Sequence, residues 1–330
     1  MKYSSAGNSD LKLSAITLGA WQLGDAMYWG ETEDARCLVS RALDHGITTY
    51  DTAEVYGNGE SERALGKALG ADRDRAVIVS KVAHQHLGPD DVRAACERSL
   101  GNLGTDRIDL YLVHWPNWEI PFGDTYEALN GLRDEGKIRQ IGLSNFGVRD
   151  LGDWFSTGDA VVNQLGYSLV LRAVEDEILP ACRERKVSVM AYMPLFQGLL
   201  TGRWKTVEEI PPMRRRSRHF SFERGGDLRH GEPGCEDLTM QTVADLVALS
   251  DEVGKSLPDL AIAWLLTRPA VGTVIVGATR AEQIARNAGV ADLELSPDVL
   301  QRLDQITLPL KQALGPNPDM WESAATSRIR

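Results

Sequence analysis

Short apolar runs alternate with amphipathic stretches from one end of the chain to the other. The runs are "AITLGAW" (15–21), "ITTYD" (47–51), "AVIVSKV" (76–82), "IDLYLVH" (108–114), "RQIGLS" (139–144), "AVVNQL" (160–165), "VSVMAY" (187–192) and "TVIVGA" (273–278). Each is mostly apolar and rich in β-branched residues, the pattern of strands covered on both faces in a parallel sheet. Between them apolar residues recur at helical spacing. In 32–45, Ala35, Leu38, Val39, Ala42 and Leu43 form one stripe, with Thr32 read as N-cap, Glu33 and Asp34 in the first turn and Gly46 at the C-terminal end. In 90–103, Val92, Ala95, Cys96, Leu100 and Leu103 keep the same period behind Pro89, and comparable stripes fall in 60–69, 124–135, 148–155, 174–186, 258–268 and 281–288.

Strands that alternate with helices across mostly short loops predict an α/β protein, a closed (β/α)8 barrel of the TIM type. An open dinucleotide-binding sheet would need a G-x-G-x-x-G turn after an early strand, and the chain contains none. Residues 1–330 read as a single barrel domain with additions. The head "KYSSAGNSDLKLS" is expected to form a hairpin that plugs the barrel bottom. A long loop after the seventh strand, about 194–237, reads as a lid, followed by an extra helix at 239–254. A C-terminal tail is expected at about 309–330, and its stretch 313–330 shows no periodicity.

Composition narrows the class. The 330 residues are 43% hydrophobic, enough for a large core, and carry 36 Lys and Arg against 47 Asp and Glu, a formal net charge of -11. Such an excess of acid argues against a general nucleic-acid or acidic-membrane binder, which needs a basic face. Cys37, Cys96, Cys182 and Cys235 are far apart and form no C-x-x-C pair, so they read as reduced thiols rather than a zinc or disulfide framework. "HQH" at 84–86 lacks a third ligand, and no metal is expected. No apolar run approaches the ~18 residues of a membrane helix. The expectation is a cytoplasmic protein.

In a barrel of this kind the site lies at the C-terminal ends of the strands. Those ends read Trp21, Asp51, Lys81, His114, Ser144, Gln164, Tyr192 and Gly277. Asp51, Lys81 and His114 end three consecutive strands, so they share one sector of the mouth. Taken alone, Asp51 and Lys81 read as a structural ion pair. Tyr56, in the glycine-rich loop just after Asp51, changes that reading. Its phenol, of ordinary pKa ~10, would be lowered by the Lys81 ammonium, with Asp51 holding Lys81 charged and His114 offering a second hydrogen-bonding group. This is a proton donor suited to a carbonyl oxygen that becomes alkoxide. Trp21, Trp29 and Trp115 are candidate walls of an apolar substrate pocket.

"DTAEVYGNGESE", "SKV", "YLVHWP", "IGLSNF", "NQLGYS", "AYMPLFQGLLTG" and "GATRAEQIARN" stand in order along the chain. Together they resemble the aldo-keto reductases, over about Leu13 to Leu308, and in particular the bacterial branch related to inositol-utilisation and general-stress reductases. The resemblance implies a catalytic tetrad of Asp51, Tyr56, Lys81 and His114, and a nicotinamide cofactor bound without a Rossmann domain. It implies that Ser144, Asn145 and Gln164 hold the nicotinamide carboxamide and that Tyr192 stacks beneath the ring. Leu195, Gly198 and Leu200 resemble the segment lining the pyrophosphate, where Met193 replaces a frequent serine. Gly277, Thr279, Arg280, Gln283 and Asn287 resemble the adenosine end. A guanidinium at Arg280 suits a 2′-phosphate, so NADPH is expected in preference to NADH.

The expected activity is therefore reversible reduction of an aldehyde or ketone, the partner being a small carbonyl or sugar-alcohol substrate. Two other classes fit parts of the pattern. Lys81 could form a Schiff base in a lyase, although its pairing with Asp51 opposes a neutral amine. A redox-sensing or regulatory subunit with little turnover also fits, since potassium-channel beta subunits resemble the same family. The basic lid run 211–226, with Arg214, Arg215, Arg216, Arg218, His219 and Arg224, reads as a solvated loop; the alternative is that one or two of its arginines grip cofactor or an anionic substrate.

Overall fold

The computed structural model describes residues 1–330, the side chain of Met27 excepted. Its centre is a closed barrel of parallel strands, β3 (Ile16–Gly19), β4 (Thr49–Asp51), β5 (Val77–Val82), β6 (Ile108–Val113), β7 (Ile138–Ser144), β8 (Val162–Gly166), β9 (Ser188–Tyr192) and β10 (Val271–Gly277). The strands run in sequence order around the ring, and β10 closes it against β3 in register Val274↔Ile16. All the apolar runs read as barrel strands take that place. Leu110 and Leu112 of β6 face inward with Val79, Val162, Met190 and Ile275, while Tyr111 and Val113 pack outward against helices, as period-2 alternation requires.

The head forms the expected hairpin, β1 (Tyr3–Ser5) antiparallel to β2 (Lys12–Ser14). Leu11 and Leu13 are 2% and 0% exposed and belong to the inner-barrel cluster, so the hairpin fills the bottom as a plug. Its tip is tied to the strands by Gly7 N–H donating to Ser188 Oγ at 2.9 Å and Ser4 Oγ–H donating to Gly272 O at 2.9 Å.

Around the strands run α1 (Trp21–Gly24), α2 (Ala26–Trp29), α3 (Ala35–Asp44), α4 (Glu60–Leu69), α5 (Pro89–Leu103), α6 (Phe122–Asp134), α7 (Val148–Phe155), α8 (Ile178–Glu184), α9 (Glu236–Val253), α10 (Leu257–Leu266), α11 (Ala281–Val290) and α12 (Pro297–Leu314). Their ends follow capping chemistry: Pro89 opens α5, and Ser256 and Ser296 cap α10 and α12. Three readings need correction. Helix α3 is capped by Asp34, which accepts from Arg36 N–H and Cys37 N–H, so Thr32 is not its cap and Glu33 lies outside it. Helix α8 starts at Ile178 rather than 174, because Ala173–Glu175 forms a separate 3-10 turn. The tail does not begin at 309: α12 continues through Pro309 to Leu314, burying Val299, Leu303, Thr307, Leu310 and Leu314 on one face. That period was present in the sequence and the proline masked it.

The lid contains only short 3-10 turns, at Phe196–Thr201, Val207–Glu209, Pro212–Arg214 and Phe222–Arg224, and leads into α9. Among the described residues no helix is long and apolar enough to cross a membrane.

Candidate active site

Strand β4 ends on Asp51 and the chain turns sharply before α4. Gly57, Asn58 and Gly59 all adopt left-handed backbone (φ 57°, 51° and 82°), and a Cβ on Gly57 would collide with Gly24 O. "YGNG" is therefore the chemistry of a turn pressed against α1. The turn aims Tyr56 back over the barrel mouth, where its ring stacks on Trp21 with centroids 5.5 Å apart.

Lys81, next to last in β5, is wholly buried, and its three N–H donors have three acceptors: Asp51 Oδ1 at 2.8 Å, Thr52 O at 2.6 Å and Tyr56 Oη at 3.3 Å. Asp51, 4% exposed, receives a second bond on Oδ2 from Gln164 Nε2 at 2.6 Å. Burial works against the Lys81 charge, yet Asp51 and Tyr56 outweigh it and lift the ammonium above its ordinary value. A neutral, nucleophilic amine is thus disfavoured, which counts against the Schiff-base alternative.

The Tyr56 phenol departs from the sequence expectation. Burial pushes it above the ordinary tyrosine value; the Lys81 ammonium pulls it back, and Asp51 pushes it up again. Desolvation outweighs the cation, so the phenol is raised rather than lowered. It is held in its protonated form at neutral pH, with a donor ready to stabilise phenolate as the proton leaves. His114 sits edge-on to Tyr56, ring centroids 5.9 Å apart. Burial, then the Lys81 charge, hold the imidazole well below its usual range and therefore neutral.

Asp51, Tyr56 and His114 line a cleft of about 480 Å³ that extends past Tyr192 to Thr279 and Gln283, with Lys81 buried behind them. On its floor Asn145 Nδ2 donates to Ser144 Oγ (3.0 Å) and His114 O (3.1 Å), and Tyr192 Oη–H donates to Asn145 Oδ1 at 2.8 Å. Ser144 Oγ–H donates to Gln164 O at 3.1 Å. Leu195, Gly198, Gly277, Trp21, Trp29 and Trp115 also line the cleft. The absence of a Cβ on Gly277 leaves room for the Gln22 carboxamide, which lies against this wall. Of the six non-glycine residues with left-handed backbone, four (Asn145, Met193, Phe196 and Gln197) lie in the segments bordering the cleft, where backbone strain is characteristically concentrated.

Three sequence-derived positions lie off this surface. Leu200, in the first turn of the lid, is fully buried. Arg280 is exposed at the N-cap of α11, outside the cleft lining. Asn287, 3% exposed, sits one turn beyond Gln283 with its Oδ1 unpartnered. Other lining residues had not been assigned: Gln22, Arg203, Arg214, Arg216 and Trp321. Gln22 and Arg203 adjoin quoted motifs and were legible as neighbours. Trp321 comes from the tail, where composition offered no signal.

The structure sorts the lid arginines. Arg224 pairs with Glu236 and Glu208, Arg218 is buried against Glu232 and the carbonyls of Leu314 and Asn317, and Arg215 donates to Val207 O. Arg214 and Arg216 face the cleft with Arg203, and none of these three has a carboxylate partner among the described residues. Burial and the adjacent Arg214 pull Arg203 below the ordinary guanidinium value, as expected of crowded cations facing an anion site. His86, from the "HQH" stretch, faces Glu54 at 2.9 Å.

The barrel mouth thus gathers a buried Asp–Lys pair, a protonated tyrosine and a neutral histidine beside one cleft. The chain belongs to the aldo/keto reductase family, whose model matches residues 15–308. It is 34% identical over 301 residues to the aldo-keto reductase YhdN of Bacillus subtilis, covering 86% of this chain and 87% of that one. It is 30% identical over 321 residues to an NADH-specific methylglyoxal reductase of Escherichia coli, covering 90% and 95%. Among solved structures, an aldo-keto reductase from Klebsiella pneumoniae in complex with NADPH superposes with a TM-score of 0.74 at 32% identity, covering 93% of this chain and 95% of that one.

Proposed function

We propose that the protein is an NADPH-using aldo-keto reductase that reversibly converts an aldehyde or ketone to the alcohol. The carrying observation is the Lys81 Nζ to Tyr56 Oη contact of 3.3 Å, made while Asp51, 2.8 Å from Lys81, helps hold that amine charged. When bound, the dinucleotide supplies the hydride that reduces the carbonyl carbon. Tyr56 gives its proton to the carbonyl oxygen, Lys81 stabilises the phenolate left behind, and neutral His114 hydrogen-bonds the same oxygen. In the reverse direction the deprotonated Tyr56 takes the alcohol proton.

The remaining residues suit a dinucleotide. Ser144, Asn145 and Gln164 present polar groups where the carboxamide would lie, and Tyr192 provides a face for the nicotinamide ring. Arg203, Arg214 and Arg216, lacking carboxylates, answer the phosphates, while the orphaned Asn287 Oδ1 would accept from the adenine amine. Arg280 at the start of α11 is the guanidinium nearest in sequence to the expected 2′-phosphate position. Trp21, Trp29, Trp115 and Trp321 wall the space beside Tyr56, where a small carbonyl or sugar-alcohol substrate would sit. Membership of the inositol-utilisation and stress-related branch, one domain over residues 1–330 and a cytoplasmic setting complete this reading; the four free cysteines accord with the last.

The test follows nicotinamide absorbance across a panel of carbonyls and sugar alcohols. Tyr56→Phe should lower turnover by about 10²- to 10⁴-fold, the scale of a lost general acid, with dinucleotide binding nearly intact. A Tyr56→Phe enzyme as active as the parent would refute the assignment.

A further inference from the structure

Residue 33 joins two parts of the mouth that lie 248 positions apart in the chain. Its backbone N–H donates to Thr279 O at 2.9 Å, and its carboxylate Oε2 accepts from Ala281 N–H at 3.0 Å. Ala281 opens α11, so the Glu33 carboxylate rests on a helix-start N–H of the kind that elsewhere receives a ligand anion. The two preceding amides, Thr279 N–H and Arg280 N–H, both donate to Gln283 Oε1. The chain's own acceptors already occupy this helix start, and one of them is negatively charged.

The surroundings add to that charge. Glu282 lies in the first turn of α11, and Glu31 precedes Glu33. Against them stands Arg280, exposed and without a carboxylate partner among the described residues. A separate observation concerns the same helix: Gln283 lines the cleft, and Asn287, four residues on, is 3% exposed behind that lining with an unpartnered Oδ1 that an adenine amine would satisfy.

We infer that Glu33 is a specificity-determining residue for the dinucleotide: its carboxylate, seated on Ala281 N–H beside Arg280, opposes a 2′-phosphate and suits a free ribose 2′-hydroxyl, so NADH is accepted alongside NADPH. The inference rests on the reductase reading, with the adenosine end of the cofactor against α11. A phosphate monoester carries about -1.5 to -2 charges at neutral pH and meets the carboxylate as a like charge. A hydroxyl instead donates a hydrogen bond to it, the device by which acidic side chains select the unphosphorylated ribose. Arg280 acts in the opposite sense, and the balance of the two sets the preference.

The experiment titrates NADPH and NADH by quenching of tryptophan fluorescence, using the unsubstituted full chain, Glu33→Gln and Glu33→Ala. Glu33→Gln keeps an acceptor for Ala281 N–H and removes only the charge. Both variants should raise the ratio of NADPH to NADH affinity by about 3- to 10-fold, the scale of one exposed like-charge contact to a doubly charged group, with the larger part from tighter NADPH. The gain should shrink as salt is raised. A ratio unmoved in both variants overturns the role of Glu33 and leaves the reductase reading standing. Failure of the unsubstituted protein to bind either dinucleotide overturns both.

Discussion

Tyr56 is governed by two opposed effects. Burial of the phenol raises its pKa, and the ammonium 3.3 Å away lowers it without cancelling the rise. His114 moves the other way, well below the usual histidine range. Neither group changes charge near neutrality, which has a kinetic consequence. Carbonyl reduction needs the protonated phenol, so its rate should stay flat from about pH 6 to 8 and fall only as pH rises beyond the ordinary tyrosine range near ~10. Alcohol oxidation needs the phenolate and should climb over the same alkaline interval. A pH profile of kcat/KM in both directions checks this; an inflection near ~6.5 lost in His114→Asn would place the histidine among the titrating groups instead.

In the proposed mechanism the lid and the strand ends divide the work between cofactor affinity and chemistry. Strands β4, β5 and β6 deliver Asp51, Lys81 and the approach to His114 on a rigid frame, while the lid contributes Arg203, Arg214 and Arg216. The lid is tied to the catalytic side as well: Tyr28 Oη–H donates to Met213 O at 2.9 Å, and Tyr28 stacks on Trp21, which stacks on Tyr56. Removing a guanidinium from the lid should therefore weaken dinucleotide binding more than it slows the chemical step. Arg203→Ala and Arg214→Ala should each raise the dinucleotide Kd by about 10-fold, with kcat at saturating cofactor changed far less; hydrogen bonds to a charged phosphate are worth about 1.5–3 kcal/mol. Isothermal titration and steady-state kinetics on the same preparations separate the two effects. Of the six basic lid residues from Arg214 to Arg224, the sequence offered no way to choose. Their roles depend on partners such as Glu232, Glu236 and the carbonyls of the tail, which chain position does not reveal.

Across the molecule, the functional end and the stabilising end of the barrel are opposite. The hairpin plug buries Leu11 and Leu13 against Leu110, Leu112, Val162 and Met190 at the bottom. Leu13→Ala should cost about 2–5 kcal/mol of stability, the transfer and cavity terms of a lost buried leucine, read by urea unfolding. Because the plug does not line the cleft, kcat/KM of the folded variant should stay near that of the parent. A large kinetic loss without a stability loss would show that the plug shapes the mouth. At the other end, Trp321 lines the cleft and Arg328 lies 3.8 Å above the Trp115 ring, held by the buried Asp319. The tail is thereby part of the cleft wall.

The barrel, its strand ends and the neighbourhood of Asp51, Lys81 and His114 followed from the sequence by itself. Strands buried on both faces must be apolar almost throughout, so they stand out from the amphipathic helices between them, and sequential parallel strands leave one placement for their ends. Tertiary structure alone decided the direction of the Tyr56 shift, the pairing of Glu33 with a helix start far along the chain, the sorting of the arginines and the entry of Trp321. Each of these is a balance of desolvation and distance among groups remote in sequence. Such balances have no periodic signature, because they arise only when the chain has folded and water has been excluded from between the partners.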